Sequence, residues 1–399
     1  MKFIHKSYKF RISPNVEQQV LLAKHFGATR FVFNHYLNKR KETYLENKTS
    51  LNYYDNANDL TLIKKDENYV WLKEINSQSL QSSLRNLDTA YNKFFRKQSK
   101  FPNFKSKYDK QSFTIPQSVV IEENKLYIPK FKQGIDINLH RDIEGKILFG
   151  TISKSTTGNY HISITCEVEY QPYLKTCSSV GIDTGIKDLA ILSNGVVYEN
   201  IKTLKTNLKK LKYNQRQLSK KQKGSNNRLK EKHKLAKLHE KVTNIRLDYL
   251  HKVSTDIIKN HDIVCIEDLA VKNLMKNHKL AQAFSDVALG TFYSMLEYKA
   301  NWNDKTIVKI DRFFPSSKTC SICGWIKQDL ELKDRKWTCP SCNTSHDRDY
   351  NASQNILKQG LNILNSGCGV QSEDKQKRDE AFPLGKSMKL EAPYLLRSE

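Results

Sequence analysis

Acidic residues are scarce in this sequence. Its 399 residues hold 42 Asp and Glu against 67 Lys and Arg, a net charge of +25. An AT-rich genome enriches Lys and Asn, but such a bias does not account for so large a shortage of acids. A polyanion partner does, because binding it releases condensed counterions. Long apolar runs are also missing. No stretch approaches the ~18 residues that a membrane helix requires, and Met1–Ile12 alternates apolar with basic residues, unlike the continuous apolar core of a signal peptide. Neither a membrane span nor a secretory leader is therefore expected. Of eight cysteines, four fall in one paired motif, while Cys166, Cys177, Cys265 and Cys368 are scattered. That pattern argues against a disulfide framework and fits a reducing cytosol with one metal site. No internal repeat is present. Hydrophobic residues at 38% suffice for a globular fold, and the length suggests two or three domains.

Alternation over Lys2–Ile12 predicts a strand, which Ser13-Pro14 ends. Val20, Leu21, Ala23, Phe26, Phe31, Phe33 and Leu37 recur at helical spacing, so residues 15–48 are expected to be helical. A second helix is expected over 76–97, with Leu80, Leu84, Leu87, Tyr91, Phe94 and Phe95 on one face. Phe101-Pro102-Asn103-Phe104-Lys105-Ser106-Lys107 breaks it with a basic, aromatic loop. Short strands are then expected over 112–115, 119–122, 125–128, 135–139, 146–153 and 160–169, at a spacing that suggests a small barrel taking in the N-terminal strand.

After Gln171-Pro172 the character changes. Ser179–Asp183 reads as a buried strand, with a hairpin over 188–199. Residues 201–262 carry 18 Lys and Arg against 5 Asp and Glu over an apolar stripe broken near Lys223-Gly224-Ser225, which predicts a basic helical hairpin. Asp262–Glu267 is another apolar strand ending in an acid, Ala281–Asn301 reads as one helix, Thr306–Ile310 as extended and Asp347–Asn365 as a helix. Residues 367–399 mix Gly, Ser, Pro and charges without a period, which predicts a mobile tail.

Cys320, Cys323, Cys339 and Cys342 have the spacing C-x2-C-x15-C-x2-C. Each C-x-x-C brings two thiolates to one ion from a tight turn, and two such turns complete a tetrahedral site. With all four positions filled by protein, one structural zinc is expected. His346 follows closely, but four thiols leave it beside the ligands or on the substrate side rather than among them.

Three acids stand at comparable junctions. Asp183 ends an apolar strand entering Thr184-Gly185, Glu267 ends Ile263-Val264-Cys265-Ile266, and Asp349 lies near a helix start. In a ribonuclease-H-like fold, adjacent strand ends and a neighbouring helix bring such acids together. Phosphodiester hydrolysis needs such a cluster: two divalent ions roughly 3.5–4 Å apart activate water and stabilise the leaving oxyanion. Oxygen ligands suit Mg²⁺ or Mn²⁺. Asp188, Asp268 and Asp347 are nearby competitors; Asp268 is expected to cap or face solvent, and Asp347 to cap the helix that presents Asp349.

The chain resembles the TnpB family of transposon-encoded RNA-guided endonucleases, relatives of type V CRISPR effectors. The resemblance spans nearly the whole chain. It rests on Tyr8-Lys9-Phe10-Arg11 with Pro14, on residues 26–34 and 101–105, and on Gly181-Ile182-Asp183-Thr184-Gly185. Ile266-Glu267-Asp268-Leu269, Pro315-Ser316-Ser317-Lys318-Thr319-Cys320 and His346-Asp347-Arg348-Asp349-Tyr350-Asn351-Ala352 complete it. The resemblance implies an α/β multi-domain protein. Its parts would be a wedge-like β-barrel (1–14 with 110–172), a helical recognition domain (15–109), an RNase H-like RuvC domain (173–315 with 344–366) and an inserted zinc ribbon (316–343). Asp183, Glu267 and Asp349 would be its metal-binding acids, Asp349 being chosen over Asp347 by the family pattern. The implied partners are a guide RNA from the transposon end and double-stranded target DNA opened beside a short flanking motif. A monomer in the RNA complex, in a prokaryotic cytoplasm at the nucleoid, is the corresponding expectation. Pairing would read the target while protein reads the flanking motif.

Gln78, Gln81, Ser82 and Arg85 share one helix face. Amides bond adenine edges and Arg bonds guanine, so the face suits reading that motif, although an ordinary solvated face has the same pattern. Lys105 and Lys107 beside Phe101 and Phe104 suit backbone phosphates and stacked bases. The basic hairpin suits the guide–target duplex, or solvated charge over an apolar seam. A non-cleaving RNA-guided repressor is the alternative, disfavoured because all three acids are present. A strand-joining transposase ranks last, since no Tyr nucleophile beside a metal-binding His pair stands out.

Overall fold

The computed structural model describes residues 2–366 apart from 279 and 332, and it parts between Tyr170 and Gln171 into two compact units. The expected tail, 367–399, lies outside the described residues, as does Cys368.

In the first unit, β1 (Phe3–Ser13) buries Tyr8, Phe10 and Ile12 and exposes the residues between them, the period-two signature of a strand with one core face. Asn15 and Gln18 form a reciprocal capping box that starts α1 (Val16–Asn47). The core face of α1 runs through Leu22, Phe26, Val32, Phe33, Tyr36 and Leu37; Val20, one of the residues at helical spacing, is 54% exposed, and Leu22 turns inward. Next come α2 (Tyr53–Ile63), a 3₁₀ segment (Glu67–Glu74) and α3 (Ser77–Phe95). Residues 48–75 bury only Leu60, Leu72 and Ile75 among their large apolar residues, too few to set a helical period.

The strands β2 (Gln111–Ile115), β3 (Val120–Glu122), β4 (Lys125–Tyr127), β5 (Ile135–Asn138), β6 (Lys146–Lys154) and β7 (Tyr160–Glu169) join β1 in an antiparallel seven-stranded sheet. Its order is β2-β6-β7-β1-β5-β4-β3, and among the described residues no ladder joins the two ends. Phe113 near one end and Leu126 near the other still belong to one core with Phe10 and Ile162.

The second unit is built on β8 (Ser179–Asp183), β9 (Asp188–Leu192), β10 (Val197–Glu199), β11 (Ile263–Glu267) and β12 (Thr306–Ile310), in the order β10-β9-β8-β11-β12. β8, β11 and β12 run parallel. Between β10 and β11 lie α4 (Thr203–Ser219) and α5 (Asn226–Asn260), the two arms of the basic hairpin; α6 (Val271–Leu274), α7 (Ala281–Val287) and α8 (Leu289–Trp302) precede β12. A two-stranded ribbon, β13 (Lys336–Thr338) with β14 (Ser345–Asp347), leads into α9 (Arg348–Ser366).

Alternate residues of the parallel strands serve different layers. Val180, Ile182, Val264 and Ile266 pack with Leu250, Val253 and Ile257 of α5 and Phe292 and Leu296 of α8. Cys265, Val308 and Ile310 pack with Ile356 of α9. Burial on both faces is why these strands read as continuous apolar runs.

One expectation needs correction. The helix expected over 281–301 breaks at Ala288, whose φ is +55°. The break lets Val287 and Leu289, on either side of it, both be buried, and buried Asp286 accepts from the Leu204 and Lys205 amides at 2.8 and 3.0 Å. Asp347 caps α9 as expected, from the last position of β14: its Oδ1 accepts from the Asp349 and Tyr350 amides, both at 3.2 Å.

Candidate active site and four-thiol cluster

Asp183 and Glu267 end neighbouring parallel strands, with Ile182 opposite Ile266 in the register. Asp349 is in the first turn of α9, which crosses the same strands. Ser353 and Leu357 follow Asp349 at intervals of one turn, so all three share a helix face. A Cβ on Gly181 would lie 2.5 Å from the Leu357 amide nitrogen and inside contact distance of the Ser353 carbonyl. Only a residue without a side chain lets the helix backbone come so close to β8. That approach seats the α9 backbone one turn after Asp349 directly over the strand that ends in Asp183.

The electrostatics report the same convergence. Asp183 holds its proton well above the usual carboxylate range, because burial penalises its charge and because Glu267 and Asp349 lie near enough to repel it. Arg348 and the Thr184 amide oppose that rise. Glu267 is also raised, mainly by burial, and accepts a hydrogen bond from Ser316 Oγ at 2.5 Å. Tyr293 contributes a hydroxyl 2.6 Å from Thr184 Oγ1; its pKa is raised by burial and then by Glu267, Asp183 and Asp268. Among the competitors, Asp268 is half-exposed and pairs with Arg312, and Asp188 pairs with Lys187 at 3.4 Å.

The four Cys Sγ atoms lie within 4.8 Å of one another, the only group of three or more potential metal ligands so close among the described residues; the three carboxylates are spaced more widely. Cys320–Cys342 and Cys323–Cys339 are each 3.6 Å apart. A tetrahedron of thiolates at the usual Zn–S length has edges of about 3.8 Å, so the cluster fits zinc. Both turns have the same build: the Gly324 amide donates to Cys320 O at 3.0 Å and the Asn343 amide to Cys339 O at 2.9 Å. Gly324 takes a φ of +79° and Asn343 one of +56°, the left-handed region both residue types tolerate. Buried His346 places Nε2 3.1 Å from Cys320 Sγ, with its ring tilted against Trp337, beside the thiols as expected. Zinc content near one per chain, lost with Cys339→Ser, is the expected result of metal analysis.

Asn351 and Asn355, one turn apart on α9 and buried, tie the cluster to the helix. Asn351 accepts from the Ser321 amide at 2.9 Å and donates to Thr319 O at 2.7 Å; Asn355 donates to Ser316 O at 2.8 Å and Thr319 O at 2.6 Å. The segment before Cys320 is thereby fixed to the helix that carries Asp349, and Ser316 of that segment reaches Glu267. Sequence reasoning assigned no role to Asn351, Asn355, Ser316 or Tyr293. Two Asn spaced one turn apart among the buried residues of the helix were the available signal.

In the first unit, Gln78, Gln81, Ser82 and Arg85 line one cleft with Pro116 and Gln117. Gln78 Nε2 donates to Gln117 Oε1 at 3.1 Å, a partner that sequence spacing did not reveal. The 101–107 loop is tied to the helices beside it. Lys105 Nζ lies 3.8 Å over Phe33, its backbone pairs with Asn34, and Lys107 lies over Tyr108. Phe101 packs on Tyr91 and Phe94, which leaves Phe104, 55% exposed, as the more available ring of the two.

A mixed α/β fold with carboxylates at the ends of its parallel strands and a four-thiol cluster clamped beside them defines the class of this protein. The fold is shared with the solved "Cryo-EM structure of the Cas12f1-sgRNA-target DNA complex", at a TM-score of 0.57 and 14% identity, over 89% of this chain and 99% of that one. Residues 161–278 match the family profile described as "Probable transposase", residues 290–356 that of the "Cas12f1-like, TNB domain" and residues 1–49 that of a "Helix-turn-helix domain". Over 382 residues the chain is 39% identical to a "Putative RNA-guided DNA endonuclease" of Streptomyces pristinaespiralis, covering 95% of both. It is 34% identical to the "Putative RNA-guided DNA endonuclease InsQ" of Escherichia coli (strain K12), covering 92% of this chain and 95% of that one. The chain belongs to the TnpB family.

Proposed function

We propose that this chain is an RNA-guided, divalent-metal-dependent DNA endonuclease encoded by a transposon, which cuts target DNA beside a short flanking motif. The observation that supports this most is the placement of Asp183, Glu267 and Asp349 around the ends of buried parallel strands. Two magnesium or manganese ions bound there would activate water and stabilise the leaving oxyanion. The chain's own residues supply the frame: Ser316 orients Glu267, Thr184 and Tyr293 brace the turn after Asp183, and Asp347 caps the helix carrying Asp349. Bound cations would relieve the repulsion that raises Asp183. In this reading 173–315 and 344–366 form the RuvC-like domain, 316–343 a zinc ribbon, 1–14 with 110–172 the wedge-like barrel and 15–109 the recognition domain.

The relatives' names and the fold shared with an sgRNA–DNA complex support a guide RNA and target DNA as partners. The net charge of +25 and the basic hairpin favour nucleic-acid backbones. Gln78, Gln81, Ser82 and Arg85 are the proposed readers of the flanking motif, with Lys105 and Lys107 on phosphates. Sequencing the RNA that copurifies with the chain would supply the guide. A supercoiled plasmid library carrying the matching target with varied flanks, incubated with Mg²⁺, should then be cut beside one short motif. Guide-dependent binding without cutting would replace this reading with an RNA-guided repressor.

A further inference from the structure

Asp349 is held by two guanidinium groups of different origin. Arg348, its chain neighbour, approaches Oδ1 with both Nε and Nη2 at 2.9 Å. Arg335 comes from the segment between the two cysteine pairs and donates from Nη1 to Oδ2 at 2.9 Å. The β13–β14 register sets this contact: Lys336 lies opposite Asp347, and the Arg348 amide donates to the Arg335 carbonyl at 2.8 Å. Residue 335 is thus pinned across from the first turn of α9. Both oxygens of Asp349 are engaged by cations, whereas Glu267 accepts from a neutral hydroxyl.

We infer that Arg335 is a positioning residue for Asp349, holding its carboxylate from the four-thiol side and yielding Oδ2 when a divalent cation binds. The inference rests on the proposed nuclease site. A guanidinium beside a cation site opposes loading in two ways with the same sign: it occupies ligand lone pairs, and it adds like-charge repulsion. The Arg335 side chain is 52% exposed, so it can swing into water without leaving a buried charge, while Arg348 at 13% cannot do so as readily. The segment between the cysteine pairs therefore sets a threshold for metal loading at the acids. Water screens part of the interaction, which keeps the threshold modest.

The test uses the full chain with its zinc in place, titrated with Mn²⁺ and followed by the paramagnetic resonance signal of the free ion. Arg335→Ala should bind Mn²⁺ roughly fivefold more tightly than wild type. Arg335→Lys, which keeps the charge and loses the planar fork, should fall between them. Unchanged zinc content and melting temperature would separate this effect from damage around the cysteines. Asp183→Asn identifies the sites, because Mn²⁺ binding at the acids should be lost with it. If that loss occurs but neither Arg335 variant binds more tightly, the inference falls and the nuclease reading stands. If Mn²⁺ binding is indifferent to Asp183→Asn, both fall together.

Discussion

Replacing Asp183 by Asn should lower the rate of guided DNA cutting by on the order of a thousandfold or more, while guide and target binding persist. The same change should make the metal-free protein more stable at neutral pH. Asp183 is driven well above its ordinary value of 3.8 by burial and by Glu267 and Asp349, so the folded chain binds this proton more tightly than the unfolded chain does. Stability carried by that proton is complete below the ordinary value and is lost as pH rises through the raised one. Glu267, raised above 4.5 chiefly by burial, acts in the same sense. At neutral pH the wild-type fold therefore bears either a confined charge or the cost of keeping that proton, and Asn, of similar size and uncharged, would relieve both. Melting curves without divalent ions should place Asp183→Asn above wild type at neutral pH, with the gap closing as pH falls towards about 4. Millimolar Mg²⁺ should shrink the gap by stabilising wild type selectively. A variant less stable than wild type at neutral pH would show that these carboxylates do not crowd one another, and full cutting activity would remove Asp183 from the site.

That trade between stability and a charged site was partly legible from the residues. Asp183 and Glu267 end apolar runs, and a run buried on both faces is the mark of a parallel strand whose end carries a functional group. The cysteine spacing likewise marked a four-thiol cluster, because each short loop fixes its own pair. The contacts that tune the acids were not legible. Ser316 lies 49 positions from Glu267, and Tyr293 lies 109 from Thr184; neither pairing leaves a periodic trace. Arg335 meets Asp349 beside a ribbon whose two strands have only three residues each, too short to announce a register. Residues 48–75 fold into short helical pieces held by a few buried apolar residues, below what periodicity can detect. The break at Ala288 follows from what the flanking residues bury rather than from a helix-breaking residue type.

Gly181→Ala should cost roughly 2–3 kcal/mol and slow cutting by about a hundredfold, although residue 181 carries no functional group. Its Cβ would meet backbone, the Ser353 carbonyl and the Leu357 amide, which cannot rotate away as a side-chain tip can. The helix must therefore retreat from β8. Ser353 lies one turn after Asp349, so the retreat is felt where that carboxylate leaves the helix, and a displacement near 1 Å is enough to disable a positioned group. For a unit of this size the stability loss corresponds to a melting shift of roughly 5–10 °C. Gly360→Ala is the matched control. Its Cβ would lie 2.7 Å from Cys265 Cβ, a side-chain obstruction on the same helix but three turns beyond Asp349. It should destabilise comparably and spare most of the cutting rate, because strain at that end can be absorbed before it reaches the acid. Equal losses of activity in the two variants would mean that global softening explains both. Full activity in Gly181→Ala, despite a lowered melting temperature, would show that the close approach of α9 to β8 does not set the spacing between Asp349 and Asp183.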